Sequence, residues 1–282
     1  MAVVIRFDRV VLNAVGHQPS AIGQIDGFER IADFRPRRQG KIATFDRLRT
    51  FRSKTNSCQI SIQYSPLLPW LKPMRIKMVA DDETGLTPKE VRSIISRCRY
   101  HQLSVVEIAI DFTPDTGVDR EFVLRHGRFG KSRRRTDRGG SNTLRYGGRL
   151  CPKLARCYEK ENLGCFRVEL ELHRSLMRKR GVGKISDLGT AAVYLIPDHL
   201  RFVAFRWTKL EAYLTRKFRH EGTSLCDEAR RRADGSLRAA TRFLAKSGVA
   251  NPQRFLASLR INRDMRAALR HWAQRFSPEQ LE

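Results

Sequence analysis

Between Lys153 and Arg174 the sequence reads KLARCYEKENLGCFRVELELHR. Tyr158 stands two residues after Arg156 and two before Lys160, so on an extended strand all three side chains share one face. A free phenol, with a pKa near 10, is a weak nucleophile at neutral pH. Flanking cations favour the phenolate and stabilise negative charge developing on phosphorus. The chemistry this points to is attack of Tyr158 on a phosphodiester, leaving a 5′-phosphotyrosine linkage and a free 3′-hydroxyl.

Acidic residues sit close by. In CFRVELELHR, Phe166, Val168, Leu170 and Leu172 fall on one face, and Arg167, Glu169, Glu171 and His173 on the other. The strand-like LSVVEIAIDFT (103–113) places Val106, Ile108, Ile110 and Phe112 opposite Glu107, Ala109 and Asp111. Carboxylates two apart on a strand are separated by roughly 7 Å. A hard cation, Mg²⁺ or Mn²⁺, held by Glu107, Asp111, Glu169 and Glu171 would relieve their repulsion and invert the local sign toward phosphate. Ordinary cross-strand ion pairs with structural arginines satisfy the same periodicity. Tyr158, by itself, also reads as a half-buried packing residue.

These strands need a scaffold. MAVVIRFDRVVL and CQISIQY (58–64) alternate as strands, as do residues 41–45 and RIKMVAD (75–81). Thr87, Pro88 and Glu90 form a helix start with a capping box, followed by an apolar stripe of Val91, Ile94, Ile95 and Cys98. The run GRFGKSRRRTDRGG, ending in glycines, reads as a basic hairpin tip, with Lys131, Arg133, Arg134 and Arg135 gripping a phosphate backbone. SNTLRYGG and PKLARCYEK supply further strands. After Gly181 and Gly183 the spacing turns helical, over SDLGTAAVYL, residues 197–219, 223–247 and 262–276. The expected fold is α+β, a mostly antiparallel sheet with packed helices plus a C-terminal helical region. Residues 1–180 form the catalytic part, and 181–282 a helical DNA-binding or oligomerisation region.

Composition narrows the partner. The 282 residues include 55 Lys and Arg against 29 Asp and Glu, a formal charge of +26, so a polyanion such as DNA is the expected partner. Apolar residues make up 41%, enough for a real core. No stretch approaches twenty apolar residues, and the basic residues are not gathered on one amphipathic helix, so no membrane role is expected. Six cysteines without a CxxC read as free thiols in a cytoplasmic protein. No His-x-His pair, no His-x-x-Arg ahead of a C-terminal tyrosine and no Walker loop is present, which argues against three other DNA-processing chemistries.

Residues from about 74 to 177 resemble the Rep-trans family of rolling-circle plasmid and phage replication initiators, which includes related conjugative relaxases. The matching pieces occur in family order: MRIKM and LTPKEV, then VVEIAIDFT, LRYGGRLCPKLARCYEK and FRVELELHR. Val105 stands where the family usually has Arg, Glu107 where it has Asp, and Cys151 where it has Ser. Arg145 takes the usual tyrosine's slot, with Tyr146 offset by one. The resemblance implies that Tyr158 nicks DNA at an origin and that the acidic strands hold a divalent metal. Arg145, Arg149, Lys153, Arg156, Lys160 and Arg167 would then position phosphate. It further implies double-stranded origin DNA with an exposed single strand as substrate, a host helicase and polymerase as partners, and a homodimer as one arrangement. A conjugative relaxase and a non-catalytic DNA- or RNA-binding regulator are the alternatives.

Overall fold

The computed structural model describes residues 2–16, 24–35, 44–129, 134–136, 143–147 and 151–281. Its first strand, β1 (Val3–Gly16), does not lie at a sheet edge. It is followed by a four-strand antiparallel meander of β2 (Phe28–Phe34), β3 (Phe45–Ser53), β4 (Gln59–Pro66) and β5 (Met74–Val79). Next comes α1 (Pro88–Ile95), whose Thr87 and Glu90 form the expected capping box. The chain then enters β6 (Cys98–Phe112) and α2 (Arg120–His126). β1 inserts between β5 and β6, antiparallel to both.

The sheet continues through the short strands β8 and β9 and the hairpin that follows them. β8 (Arg134–Thr136) pairs with β9 (Leu144–Tyr146), β9 with β10 (Lys153–Lys160), and β10 with β11 (Cys165–His173). β11 closes onto β6, giving the order β2-β3-β4-β5-β1-β6-β11-β10-β9-β8. β7 (Gly127–Arg128) belongs instead to a small sheet with β12 (Arg201–Phe205) and β13 (Leu256–Ser258). The expected hairpin after Gly127 is present as β8–β9; its connecting residues lie outside the described set.

One local feature of β1 sets the faces. Apolar residues occupy Val3, Ile5 and Phe7, then Val10, Leu12 and Ala14, so the alternation changes parity after Phe7. The β1–β6 register slips at that point: Phe7 pairs with Ile108, and Arg9, not Asp8, pairs with Glu107. Asp8 is the extra residue of a β-bulge, and the bulge keeps both apolar sets on one side of the sheet.

Helices cover that apolar side. After α3 (Arg174–Lys179) come α4 (Ile185–His199), α5 (Trp207–Phe218), α6 (Glu221–Gly235), α7 (Leu237–Lys246), α8 (Ile261–Gln274) and α9 (Pro278–Leu281). Phe7 meets the rings of Trp272 and Phe276 edge-on, each centroid 4.7 Å away. Phe112 packs against Phe202. The main core runs from Val3 to Leu281, so segments on both sides of residue 180 build it. A second cluster forms among α5, α6 and α7, around Leu210, Leu214, Cys226, Ala229, Ala240 and Leu244.

Two expectations about the helical part are corrected: 223–247 is two helices, α6 and α7, parted at Ser236, whose side chain caps α7. The stretch 197–219 is not one helix: Arg201–Phe205 is a strand, and α5 begins at Trp207. In RFVAF, β-branched and aromatic residues match strand geometry, and both neighbouring edges, Gly127–Arg128 and Leu256–Ser258, are free to pair with it. Asn262 locks this arrangement, accepting from the Phe202 N–H at 2.8 Å and donating to the Phe202 carbonyl at 2.5 Å. Among the described residues no helix is long and apolar enough to cross a membrane.

Trp272 holds α8 on the strand that carries Arg6 and Arg9. Trp272→Ala removes a buried indole and leaves a cavity under β1. It is expected to lower unfolding free energy by about 3–5 kcal/mol, read as a lower urea midpoint at unchanged slope.

Candidate active site

The register of five adjacent strands, β1, β6, β11, β10 and β9, assembles the polar face in three cross-strand rows. The first row runs Tyr158, Arg167, Asp111, Val4. The second runs Arg145, Arg156, Glu169, Ala109, Arg6. The third runs Leu154, Glu171, Glu107, Arg9. The three polar faces read from alternation therefore do meet on one surface, opposite the helices. Ala109 sits at its centre, where a small side chain leaves room for the long ones around it.

The carboxylates here are not open to water. Glu107 is 1% exposed, Asp111 2%, Glu169 4% and Arg167 1%. Guanidinium groups enclose them. Asp111 accepts from Arg167 Nε at 2.6 Å and Arg167 Nη2 at 3.0 Å, a bidentate pair, and it also accepts from Arg6. Arg9 Nη2 lies 2.7 Å from Glu171 Oε2 and 3.0 Å from Glu107 Oε2. Arg156 contacts Glu107, and its Nε lies 2.8 Å from Glu169 Oε2. The arginine stems screen the acids from solvent while their heads neutralise them.

Tyr158 completes the cluster. Its hydroxyl, half-buried, donates to Glu169 Oε1. Burial, then the hydrogen bond to Glu169 and that residue's charge, push the phenol well above its ordinary value; Arg167 opposes the shift. Burial also raises the Glu169 carboxyl, with Tyr158 and Arg156 pulling the other way. Both partners thus hold protons more tightly than they would in water, and the carboxylate is the base that the phenolic proton faces. Lys160 reaches Asp82 at 2.9 Å, in the loop after β5, and Arg167 contacts the same aspartate and its carbonyl.

The expected phosphate-positioning residues separate into groups. Arg156, Lys160 and Arg167 are on the face of Tyr158, but each is engaged with carboxylates, and Arg167 is sealed among Asp111, Asp82 and Asp8. Arg145 shares this face, opposite Arg156. Lys153 lies on the other side: it pairs with Leu172 and its amine sits 3.1 Å from His199 Nδ1 under the helices. Burial lowers the Lys153 amine, and burial together with that amine brings His199 down to about 4. Lys131, Arg133 and Arg149 lie outside the described residues; Arg134 and Arg135 belong to the β8 backbone.

Arg6, Arg9, Asp8 and Asp82 were not among the residues that the sequence singled out. The signal for Arg6 and Arg9 was present, since alternation with a parity change in VIRFDRVVL puts both on the polar face. Their partners are a hundred or more residues away, and only the insertion of β1 beside β6 joins them.

A divalent cation does not fit these carboxylates as arranged. Their oxygens are taken up by arginine, by the Tyr158 hydroxyl on Glu169 and by His173 on Glu171, and no group of three His, Cys, Asp or Glu side chains among the described residues is arranged to hold a metal ion. The acids are accounted for by guanidinium, the other partner that the strand periodicity admits.

Two outcomes follow. Asp111→Asn leaves Arg6 and Arg167 without their shared anion, and is expected to cost about 3–5 kcal/mol of stability by urea unfolding. For Tyr158, a folded pKa raised above the unfolded value near 10 adds stability below that value, lost as the pH climbs past it. From about pH 9 to about pH 11 the parent should therefore lose stability more steeply than Tyr158→Phe. An identical slope would show that Tyr158 is not the tightly held phenol.

No family model matches the chain, and no curated protein matches it. A solved structure of a rolling circle replication initiator protein from Geobacillus stearothermophilus is similar to it at 13% identity and a TM-score of 0.41, over 72% of this chain and 87% of that one.

Proposed function

We propose that the polar sheet face is a DNA strand nicking and joining site, of the kind that starts rolling-circle replication of a plasmid or phage. The observation that carries this reading is the Tyr158–Glu169 hydrogen bond, set beside Arg156 on a face flanked by Lys160. It pairs a nucleophile with a base inside a cationic surround. Tyr158 Oη attacks the phosphorus of a single-stranded phosphodiester while its proton passes to Glu169. The P–O3′ bond breaks and the departing 3′-oxygen takes a proton, leaving the 5′-phosphate on Tyr158. Attack by a 3′-hydroxyl reverses the sequence and rejoins the strand.

Burial supports the role of Glu169. A carboxyl raised above its ordinary value is a stronger base than a solvated one, but the Tyr158 phenol is raised as well, so the proton passes only as Tyr158 Oη bonds to phosphorus. Neutralising Glu169 at the same moment leaves Arg156 with Glu107 alone, so more of its charge is available to the pentacoordinate phosphorus. The divalent ion implied by the family resemblance, Mg²⁺ or Mn²⁺, would supply Lewis-acid polarisation of the phosphate. The carboxylates are committed to arginine, so no step here runs through it.

A second reading has its own observation. Arg167 with Asp111 and Arg9 with Glu107 are ion pairs around buried carboxylates, which suits a rigid scaffold that binds DNA without cutting it.

One assay separates them. Supercoiled circular DNA carrying the sequences that flank this coding sequence is incubated with the protein, with Mg²⁺ or Mn²⁺ and separately with chelator. The nicking reading expects open circles and a protein–DNA adduct stable to denaturant, both absent in Tyr158→Phe and reduced about 10²–10⁴-fold in Glu169→Gln. Nicking that persists in Tyr158→Phe overturns the assignment of the nucleophile. Binding without open circles under either ionic condition favours the scaffold. Nicking that disappears in chelator requires Arg156 to yield Glu107 or Glu169 to the ion.

A further inference from the structure

Away from Tyr158, α2, β7 and α7 enclose a cavity of about 670 Å³. Four arginines line it: Arg125 from the last turn of α2, Arg128 from β7, and Arg238 and Arg242 from α7. Its apolar floor is the stacked pair Phe129 and Tyr146, with centroids 3.9 Å apart and planes within 16°. Tyr146 pairs with Ala155, on the helix-covered side of the sheet, so the cavity lies on the opposite face of the sheet from Tyr158.

These arginines differ from those of the sheet face. Arg6, Arg9, Arg156 and Arg167 are each held by carboxylates. Among the described residues no carboxylate comes within ion-pair distance of Arg125, Arg128, Arg238 or Arg242. Arg128 also stands directly opposite Arg201 in the β7–β12 ladder, a like-charge pairing that weakens a sheet. Burial, then Arg201 and Arg238, lower the pKa of its guanidinium. Arg128 is partly buried and the other three guanidinium groups are exposed, so the cleft presents four cations without a carboxylate partner to an incoming anion. Arg238 and Arg242 are one turn apart on α7, about 5–6 Å between Cβ atoms. That spacing is on the order of the distance between neighbouring phosphates in an extended strand.

We propose that this cleft binds the phosphate backbone of single-stranded DNA, with Arg238 and Arg242 on successive phosphates. This rests on the DNA reading of the protein and not on nicking. The cleft would hold the strand on the opposite face of the sheet from the reacting phosphate, so that its binding energy orients the DNA. A guanidinium fork matches phosphate bidentately and keeps its charge at every physiological pH, which suits a site with no other anion to organise it.

The test is binding of a fluorescein-labelled twelve-nucleotide oligo-dT, which contains no origin and is not a nicking substrate. Arg238→Ala/Arg242→Ala, both exposed positions, is expected to weaken binding about tenfold or more at about 0.1 M salt. It should also reduce the slope of log affinity against log salt by ~1.4, roughly 0.7 for each lost phosphate. Arg263→Ala/Arg266→Ala removes equal charge from exposed positions of α8 and serves as the control. Equal losses in the two double variants would reduce the effect to net charge and overturn the cleft. Competition by dTMP or pyrophosphate as strong as that of unlabelled oligo-dT would assign the cleft to a small phosphate compound instead of a strand. Failure of the nicking assay leaves this result standing, and the reverse also holds.

Discussion

The buried Asp111–Arg167 pair, shared with Arg6, is the interaction on which the centre of the structure depends. It joins three adjacent strands, β1, β6 and β11, through side chains that are far from water. A buried ion pair is a weak source of net stability, because desolvating its members costs about what their attraction returns. What it fixes is register. Slipping β6 by one residue would turn Asp111 and Glu107 into the apolar layer among Val168, Leu170 and the helices, where no guanidinium waits. The pair penalises every alternative pairing of these strands far more than it rewards the native one. The bulge at Asp8 serves the same end. It lets β1 present Phe7 and Val10 to the helices while aiming Arg6 and Arg9 at the acids.

From that constraint the chemistry of the face follows. With four guanidinium groups set against Glu107, Asp111, Glu169 and Glu171, the lattice is close to neutral although the chain as a whole carries +26. Acid groups in so basic a protein need no metal to explain them; cross-strand arginines suffice. Within this lattice Glu169 is divided between Arg156 and the Tyr158 hydroxyl, so it is the carboxylate whose protonation can change without stranding a buried arginine. Arg156 retains Glu107 if Glu169 takes a proton. The pair with Asp111 has no such release, since Arg6 and Arg167 both depend on it. The same network can therefore be rigid at one end and able to move a proton at the other.

Much of this was legible in the sequence, and the limits have physical causes. The polar and apolar faces of 103–113, 153–160 and 165–173 were readable because alternation with period two is a local property, and the helix start at Thr87 was readable because a capping box is local too. Parity also separated Lys153 from Arg156 and Lys160, although its charge invited grouping it with them. Which strands adjoin is not local. Arg9 and Glu171 are 162 residues apart and meet only because β1 inserts between β5 and β6. RFVAF is a strand for the same kind of reason: its flanks carry helical spacing, and what decides its state is the pair of short strand edges that Gly127–Arg128 and Leu256–Ser258 bring beside it.

A near-neutral lattice at the polar sheet face also determines where the charge of this protein can act. Guanidinium groups locked to carboxylates contribute little field at a distance, since each pair appears from outside as a dipole. The force that draws in a polyanion must come from cations without such partners, and Arg125, Arg128, Arg238 and Arg242 form a group of them on the opposite face of the sheet. In the proposed reading, capture and chemistry are then borne by different surfaces. That separation has a physical advantage. Strong unpaired cations packed around Tyr158 would hold the 5′-phosphate product as tightly as the transition state, and uniform binding of that kind accelerates nothing. On the nicking proposal, a remote grip would let binding energy fix the strand in place, while the site itself would stay poised to release Tyr158 when the strand is rejoined.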